Sequence, residues 1–206
     1  MMEINEQIIR YLTDTYQPEA VIVYGSFADG SAGEHSDFDA LVIADHAKAH
    51  DNVVIGGTVL DVFVYPPDVF RAEYDPEEFV QVFDGKIILD KNGMAEQLKN
   101  SVLRYIESIP RKTATEIRQE VDWCMKMLVR TERRDAEGCY RRHWLLCDSL
   151  MIYCDVKGLY YFGPKKALRS MEQTDPGAFQ TYSRALREPD RECLTEWIMY
   201  LQNLVQ

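Results

Sequence analysis

The chain is short of several things, and each shortage narrows what it can be. It has 5 cysteines in 206 residues, at positions 124, 139, 147, 154 and 193. An odd count with no Cys-x-x-Cys pair speaks against a disulfide framework and against a zinc site. Cys147 and Cys154, seven apart in an apolar helical pattern, read as core thiols. The 4 histidines, His35, His46, His50 and His143, show no ligand spacing, and His35 reads as a surface-loop residue. No apolar run is long enough to cross a bilayer, and no signal peptide opens the chain. The expectation is therefore no membrane and a cytoplasmic location. Internal repeats, low-complexity tracts and long linkers are also missing. Basic residues are scarce in one half only. Residues 1–94 hold five lysines and arginines against eighteen aspartates and glutamates, a net of −13, whereas residues 95–206 hold eighteen against sixteen, a net of +2. With −11 overall, the chain lacks the basic face that broad nucleic-acid binding needs, so nucleic acid is not an expected partner.

What is present concentrates between Val21 and Ile43, VIVYGSFADGSAGEHSDFDALVI. Val21 to Tyr24 is apolar and β-branched, as a buried strand is. Gly25 permits close backbone approach. Ser26 is placed to cap a short helix beginning near Phe27, whose free N–H groups suit a phosphate. Gly30, Ser31 and Gly33 end that helix in a turn. The next strand runs from Ser36 to Ile43, with Asp37 and Asp39 at its entrance, and positions i and i+2 of a strand share one face. Two such carboxylates are oxygen donors suited to magnesium carrying a nucleoside triphosphate. Two ions of that kind activate an attacking oxygen and neutralise the leaving pyrophosphate.

A third carboxylate is expected nearby. Thr58 to Tyr65, TVLDVFVY, is strand-like, and its single charge is Asp61. A buried aspartate without a partner is costly, so Asp61 is expected to face a metal, a cation or the edge of a site. Beside Asp37 and Asp39 it would ligate metal and act as general base toward an acceptor hydroxyl. Alone, each piece is ordinary: Asp-x-Asp as a strand end, Gly-Ser as a turn, Asp61 as a salt-bridged residue. Their combination and order are specific.

Gly25-Ser26-x10-Asp37-x-Asp39, with Asp61 later, resembles the nucleotidyltransferase superfamily of DNA polymerase beta. More narrowly it is similar to the minimal nucleotidyltransferases and to the antibiotic nucleotidyltransferases of the kanamycin and lincosamide type. Gly85-Lys86-Ile87-Ile88-Leu89-Asp90 resembles the strand that closes such a domain. The resemblance covers about Ile4 to Lys91. It implies that Gly25 and Ser26 contact nucleotide phosphates, that Asp37 and Asp39 hold the catalytic magnesium, and that Asp61 is the third acidic residue. Many relatives carry a base shortly after Gly-Ser, where this chain has Asp29, so phosphate neutralisation must come from elsewhere. A unit of net −13 repels a triphosphate unless metal ions and bases from the second half offset it. The active site is accordingly expected in a cleft between the halves.

The expected architecture is α+β: a small mixed-sheet domain over 1–93, then an antiparallel helical bundle over 94–206. Helix Ile4 to Tyr16 comes first and Pro18 ends it. Strands follow near 20–24, 37–44, 53–64 and 86–90, with broken helix between Pro66 and Val82. From Gly93 the pattern is helical: Met94–Ser108, Thr113–Thr131, Ala136–Val156, Pro164–Gln173, Pro176–Leu186 and Arg191–Leu204. In the helical half, Asp148 within WLLCDSLMIYC needs a partner or a cleft. It reads either as a group that steers or deprotonates the acceptor, or as a salt-bridged core aspartate. Glu120 and Asp122 are weaker candidates. Lys165 and Lys166, in LYYFGPKKAL at a helix start, are expected to meet the nucleotide phosphates in place of the missing base. Their alternative is a solvated pair.

The expected activity is magnesium-dependent transfer of a nucleoside monophosphate, AMP from ATP, to a hydroxyl of a small molecule such as an aminoglycoside or lincosamide. Two other readings stay open: adenylylation of a protein partner, as in antitoxins of the minimal type, and a nucleotide-binding protein without catalysis. The acceptor, the base preference and the oligomeric state are not legible.

Overall fold

The computed structural model describes residues 4–188 and 190–206. The chain divides into two compact units, residues 1–109 and 110–206.

The first unit is built on a mixed sheet. Its elements are α1 (Ile4–Tyr16), β1 (Ala20–Val23), α2 (Gly25–Asp29), β2 (Phe38–Ile43), β3 (Ala49–Asp51), β4 (Val54–Ile55), β5 (Thr58–Tyr65), α3 (Pro67–Arg71), a 3-10 helix (Pro76–Val82), β6 (Lys86–Asp90) and α4 (Met94–Ser108). The strand order is β3-β5-β2-β1-β6, with β4 pairing β5. β2 and β5 run parallel; the other pairs are antiparallel. Alternation along the central strands sends side chains to two cores. Phe38, Ala40, Val42, Leu60, Val62 and Val64 face Ile8 and Leu12 of α1. Ile22, Leu41, Ile43 and Tyr65 face Phe79, Val82, Leu98 and Val102. All four residues of β1 are buried, because both faces of the sheet are covered there.

Three local differences from expectation have physical causes. The strand expected over 53–64 is a hairpin: Gly56 and Gly57, at φ +57° and +91°, turn the chain between β4 and β5. β3 was not anticipated, since Ala49-His50-Asp51 offers no apolar run. It is held instead by pairing with β5 and by Asp51, whose buried carboxylate accepts from Tyr11 Oη at 3.0 Å and Tyr16 Oη at 2.7 Å. Finally, α4 was expected with the helical half, but Leu98 and Val102 pack into the second core of the sheet. The compact division therefore falls at 109/110 rather than at 93/94.

The second unit comprises α5 (Ala114–Arg130), α6 (Ala136–Val156), α7 (Pro164–Thr174), α8 (Pro176–Arg187) and α9 (Arg191–Leu204). A Thr113–Glu116 capping box starts α5, and Asp135, Asp175 and Asp190 cap α6, α8 and α9. One core holds the helices together, centred on Trp197 and Tyr153. Trp197 donates its indole N–H to Ser149 Oγ at 2.8 Å, and Tyr182 donates to the Leu146 carbonyl at 2.8 Å. Cys154 is buried, and burial pushes its thiol up to about 11. Cys147, expected beside it in the core, is exposed. The C-terminal turns of α6 are covered on more sides, taking in Ile152, Tyr153 and Cys154 together, than the turn that carries Cys147.

Candidate functional site

The sheet brings Asp39 and Asp61 together by register. Parallel pairing of β2 with β5 sets Asp39 opposite Asp61, and parallel partners present their side chains to the same face. That face is the one toward α4, at the end of the sheet where its core residues give way. Asp37 lies two residues earlier, exposed, just before β2 begins.

Gly25 fits against Asp39. It has φ +66°, and a Cβ built there would stand 2.2 Å from Asp39 Oδ2. Any side chain would collide with the carboxylate, so glycine is required by both backbone and space. The neighbouring Tyr24 donates its backbone N–H to the Asp39 carbonyl at 3.0 Å. Its phenol is pushed well above the usual range, first by burial and then by the charges of Asp39 and Asp61. Tyr24 is therefore a wall of the same site, which sequence reading passed over because it looked like one more apolar strand residue.

Ser26 is 4% exposed and lies within the first turn of α2. It was expected to cap a helix starting near Phe27. The helix starts two residues earlier, at Gly25, the cap position is Tyr24, and no side chain caps it. Gly30, at φ +80°, ends α2 and returns its N–H to the Ser26 carbonyl. The Gly-Ser turn thus lies directly before the strand entrance that carries the aspartates.

Asp61 is not buried among the apolar residues around it; its side chain is 42% exposed. Its partner is His50, whose Nε2 is 2.7 Å from Asp61 Oδ1. The His50 ring stacks on Phe63 at 4.5 Å and 13°. Register puts His50 opposite Phe63, one residue beyond the partner of Val62, and so alongside Asp61. Spacing along the chain could not reveal this, because β3 has no strand signature of its own.

Among the described residues, one group of three potential ligand side chains has its donor atoms all within 4.8 Å: Glu188, Asp190 and Cys193. Asp190 there is the N-cap of α9 and accepts from the Cys193 N–H, which accounts for the closeness. The oxygens of Asp37, Asp39 and Asp61 are spread wider than that.

The remaining expected residues lie in the second unit. Asp148, half-buried on α6, lines a cavity of about 710 Å³ with Glu120, Asp155 and Trp123. Burial raises its carboxyl, partly offset by a bond from the Trp144 side chain. Among the described residues it forms no salt bridge. Glu120 shares that cavity, and Asp122 is exposed. Lys165 and Lys166 occupy the first turn of α7 after Pro164. Lys165 is exposed, and the Lys166 ammonium stands over the Phe162 ring, 5.3 Å from its centroid.

Residues 6–93 match the family model described as "Polymerase beta, Nucleotidyltransferase". The sheet-bearing segment is a nucleotidyltransferase-type domain of the polymerase beta superfamily. A solved nucleotidyltransferase-like protein from Exiguobacterium sibiricum 255-15 is similar at 14% identity, covering 98% of this chain and 73% of that one, with a TM-score of 0.38. No curated protein matches the sequence. The superfamily assignment rests on the match over residues 6–93. Enzymes of this family generally take a nucleoside triphosphate and a divalent metal. Among the described residues no helix is long and apolar enough to cross a membrane.

Proposed function

We propose that the protein transfers a nucleoside monophosphate, AMP from ATP, to a hydroxyl of a small molecule and releases pyrophosphate, with magnesium held by Asp37, Asp39 and Asp61. The observation that carries this is the register of Asp39 with Asp61 on adjacent strands, with Gly25 kept bare beneath the Asp39 carboxylate. The donor set fits the group: three carboxylates at one end of a sheet offer the hard oxygen ligands magnesium prefers, leaving positions for phosphate oxygens and water. When bound, the metal would neutralise the charge that develops on the phosphates.

The chain's own groups supply the rest. Gly25 and Ser26 bring backbone N–H groups to the β- and γ-phosphates. Asp61, oriented by His50, accepts the proton of the acceptor hydroxyl. Lys165 or Lys166 stabilises the departing pyrophosphate. Asp148 steers the acceptor. An aminoglycoside or lincosamide is the acceptor class that the resemblance favours.

The test is pyrophosphate release from ATP with magnesium across aminoglycosides, lincosamides and simple polyols. Acceptor-dependent release that disappears in Asp37→Asn and Asp39→Asn is expected. Wild-type rates in both variants would remove the reading. Lys165→Ala and Lys166→Ala, separately, should identify which lysine lowers turnover.

A further inference from the structure

We infer that Tyr11, Tyr16 and Asp51 are positioning residues for the candidate active site: by clasping β3 to α1 they fix its register on β5, and so keep His50, rather than a carboxylate, beside Asp61. The consequence for catalysis rests on the role given to Asp61 above; the hold of the clasp on His50 does not.

β3 has little of its own to set a register. It is three residues long and lies at the edge of the sheet beside β5. Register is strongly specified where an apolar pattern is buried on one face, and Ala49-His50-Asp51 offers no such pattern. Yet the pairing is definite: Ala49 with Val64, His50 with Phe63 and Asp51 with Val62. Antiparallel partners share a face of the sheet. Asp51 therefore lies with Val62 on the α1 side, and His50 lies with Phe63 on the side of Asp61. Two successive residues reach opposite faces, one to a helix and one to the site.

The anchor is on the α1 side. Asp51 is 6% exposed. Its Oδ2 accepts from the Tyr11 phenol at 3.0 Å and the Tyr16 phenol at 2.7 Å, and its Oδ1 accepts from the Val53 N–H at 3.2 Å. Burial first, and then the bond to Asp51, pushes both phenols up, so they remain protonated donors. The neighbours Ala49, Val62 and Val64 are apolar, and a buried carboxylate among them is costly unless it is hydrogen-bonded. The phenols therefore decide whether Asp51 stays.

The alternative register shows what is at stake. A slip of one residue sends every side chain of a strand to the other face. Asp51 would leave the α1 side for the site face, and His50 would leave Asp61. The face that carries Asp39 and Asp61 would then exchange an imidazole for a further carboxylate, a like charge. In the observed register His50 Nε2 lies 2.7 Å from Asp61 Oδ1, with its ring stacked on Phe63. The clasp thus works from the side of the sheet away from the carboxylates, and it acts on them only through His50.

The experiment removes only hydroxyls. Tyr11→Phe/Tyr16→Phe keeps both rings and leaves the Asp51 carboxylate without side-chain donors. Three readouts are taken on the full chain: melting by circular dichroism, the His50 ring by nitrogen-15 NMR, and manganese affinity by electron paramagnetic resonance. In the folded double variant the His50 signal is expected to move toward its position in Asp61→Ala, and manganese affinity to fall by about tenfold. Starting from His50→Ala, removal of the same hydroxyls should change that affinity by less than about twofold, because the residue through which they act is already gone. Adding Asp51→Val to the double variant sets an apolar side chain beside Val62, removes the charge that drives the slip, and should return both the ring signal and the affinity. An unmoved His50 signal in the folded double variant, equal losses with and without His50, or no recovery on adding Asp51→Val would overturn the inference. A parent chain that binds no manganese would sink the metal site proposed above instead, and the ring signal, which needs no metal, would still decide for or against the clasp. If the double variant does not fold, the single variants give the same readouts, with Tyr16→Phe expected to shift the signal more than Tyr11→Phe.

Discussion

At the scale of single residues, the site depends on two contacts that differ in kind. Gly25 is a negative requirement: nothing larger fits beneath Asp39. Gly25→Ala is expected to cost about 1–2 kcal/mol from the left-handed backbone alone, with more from the collision with Asp39. Thermal melting measures the loss, and turnover should fall further than stability because the displaced group is the Asp39 carboxylate. A variant that melts and turns over like the parent would show that the close approach is not needed. His50 is a positive requirement: its ring nitrogen, 2.7 Å from Asp61 Oδ1, fixes which oxygen faces the site. Loss of such an orienting partner typically costs about 10–100-fold in metal affinity or activity. His50→Ala is therefore expected to lower both turnover and manganese affinity, with His50→Gln recovering part of each by supplying another donor. Unchanged manganese affinity and rate in His50→Ala would leave the contact incidental.

At the scale of elements, the helical unit is tied together at one carboxylate. Asp175 caps α8 through the Ala178 N–H at 3.2 Å, and accepts from Tyr200 Oη at 2.7 Å, Tyr153 Oη at 3.1 Å and Lys157 Nζ at 2.8 Å. Burial would raise its carboxyl, but these four donors outweigh that and hold it at about 2, against 3.8 for a free side chain. A carboxyl depressed on folding stabilises fully above its unfolded value, and the benefit drains away as pH falls from 3.8 through about 2. Asp175→Asn is expected to cost about 1–2 kcal/mol at neutral pH, and the gap from the parent should shrink toward pH 2. Denaturation at both pH values checks this, and a gap that does not depend on pH would remove Asp175 from the account. Elements of this sort were legible beforehand. The stripe of Ile8 and Leu12 and the prolines at 164 and 176 carry their signals locally. So did the candidate site in part, because Gly25, Asp37 and Asp39 are joined by one strand–turn–strand segment. What was not legible depended on partners distant in the chain. β3 exists because β5 lies beside it, His50 meets Asp61 because of that pairing, and Asp148 lines a cavity that α5 helps to build.

At the scale of the whole molecule, the two units each contain what a folding domain needs. The first buries two cores against its sheet, and the second buries Trp197, Tyr153 and Leu145 in one of its own. Fragments 1–109 and 110–206 are therefore expected to fold separately, each with a cooperative melt. The placement of the cut is itself a test. A fragment ending at residue 93 would lose α4, and with it Leu98 and Val102, which lie at 1% and 0% exposure against Ile22, Leu41 and Ile43. Phe79 and Val82 remain on that face, but losing α4 exposes part of its apolar surface to water, a patch prone to association. Fragment 1–93 should then aggregate or melt without cooperativity, while 1–109 stays monodisperse in sedimentation. The acidity of residues 1–94, net −13, adds a second consequence. Fragment 1–109 has its carboxylates and its Gly-Ser turn but lacks Lys165 and Lys166; on the role proposed for those lysines, it is expected to bind ATP more weakly than the full chain at equal magnesium. That deficit should narrow as salt or magnesium screens the field. Equal affinity in fragment and full chain would mean that the first unit neutralises the triphosphate with its own metal ions, and that the lysines of α7 serve the helical unit alone.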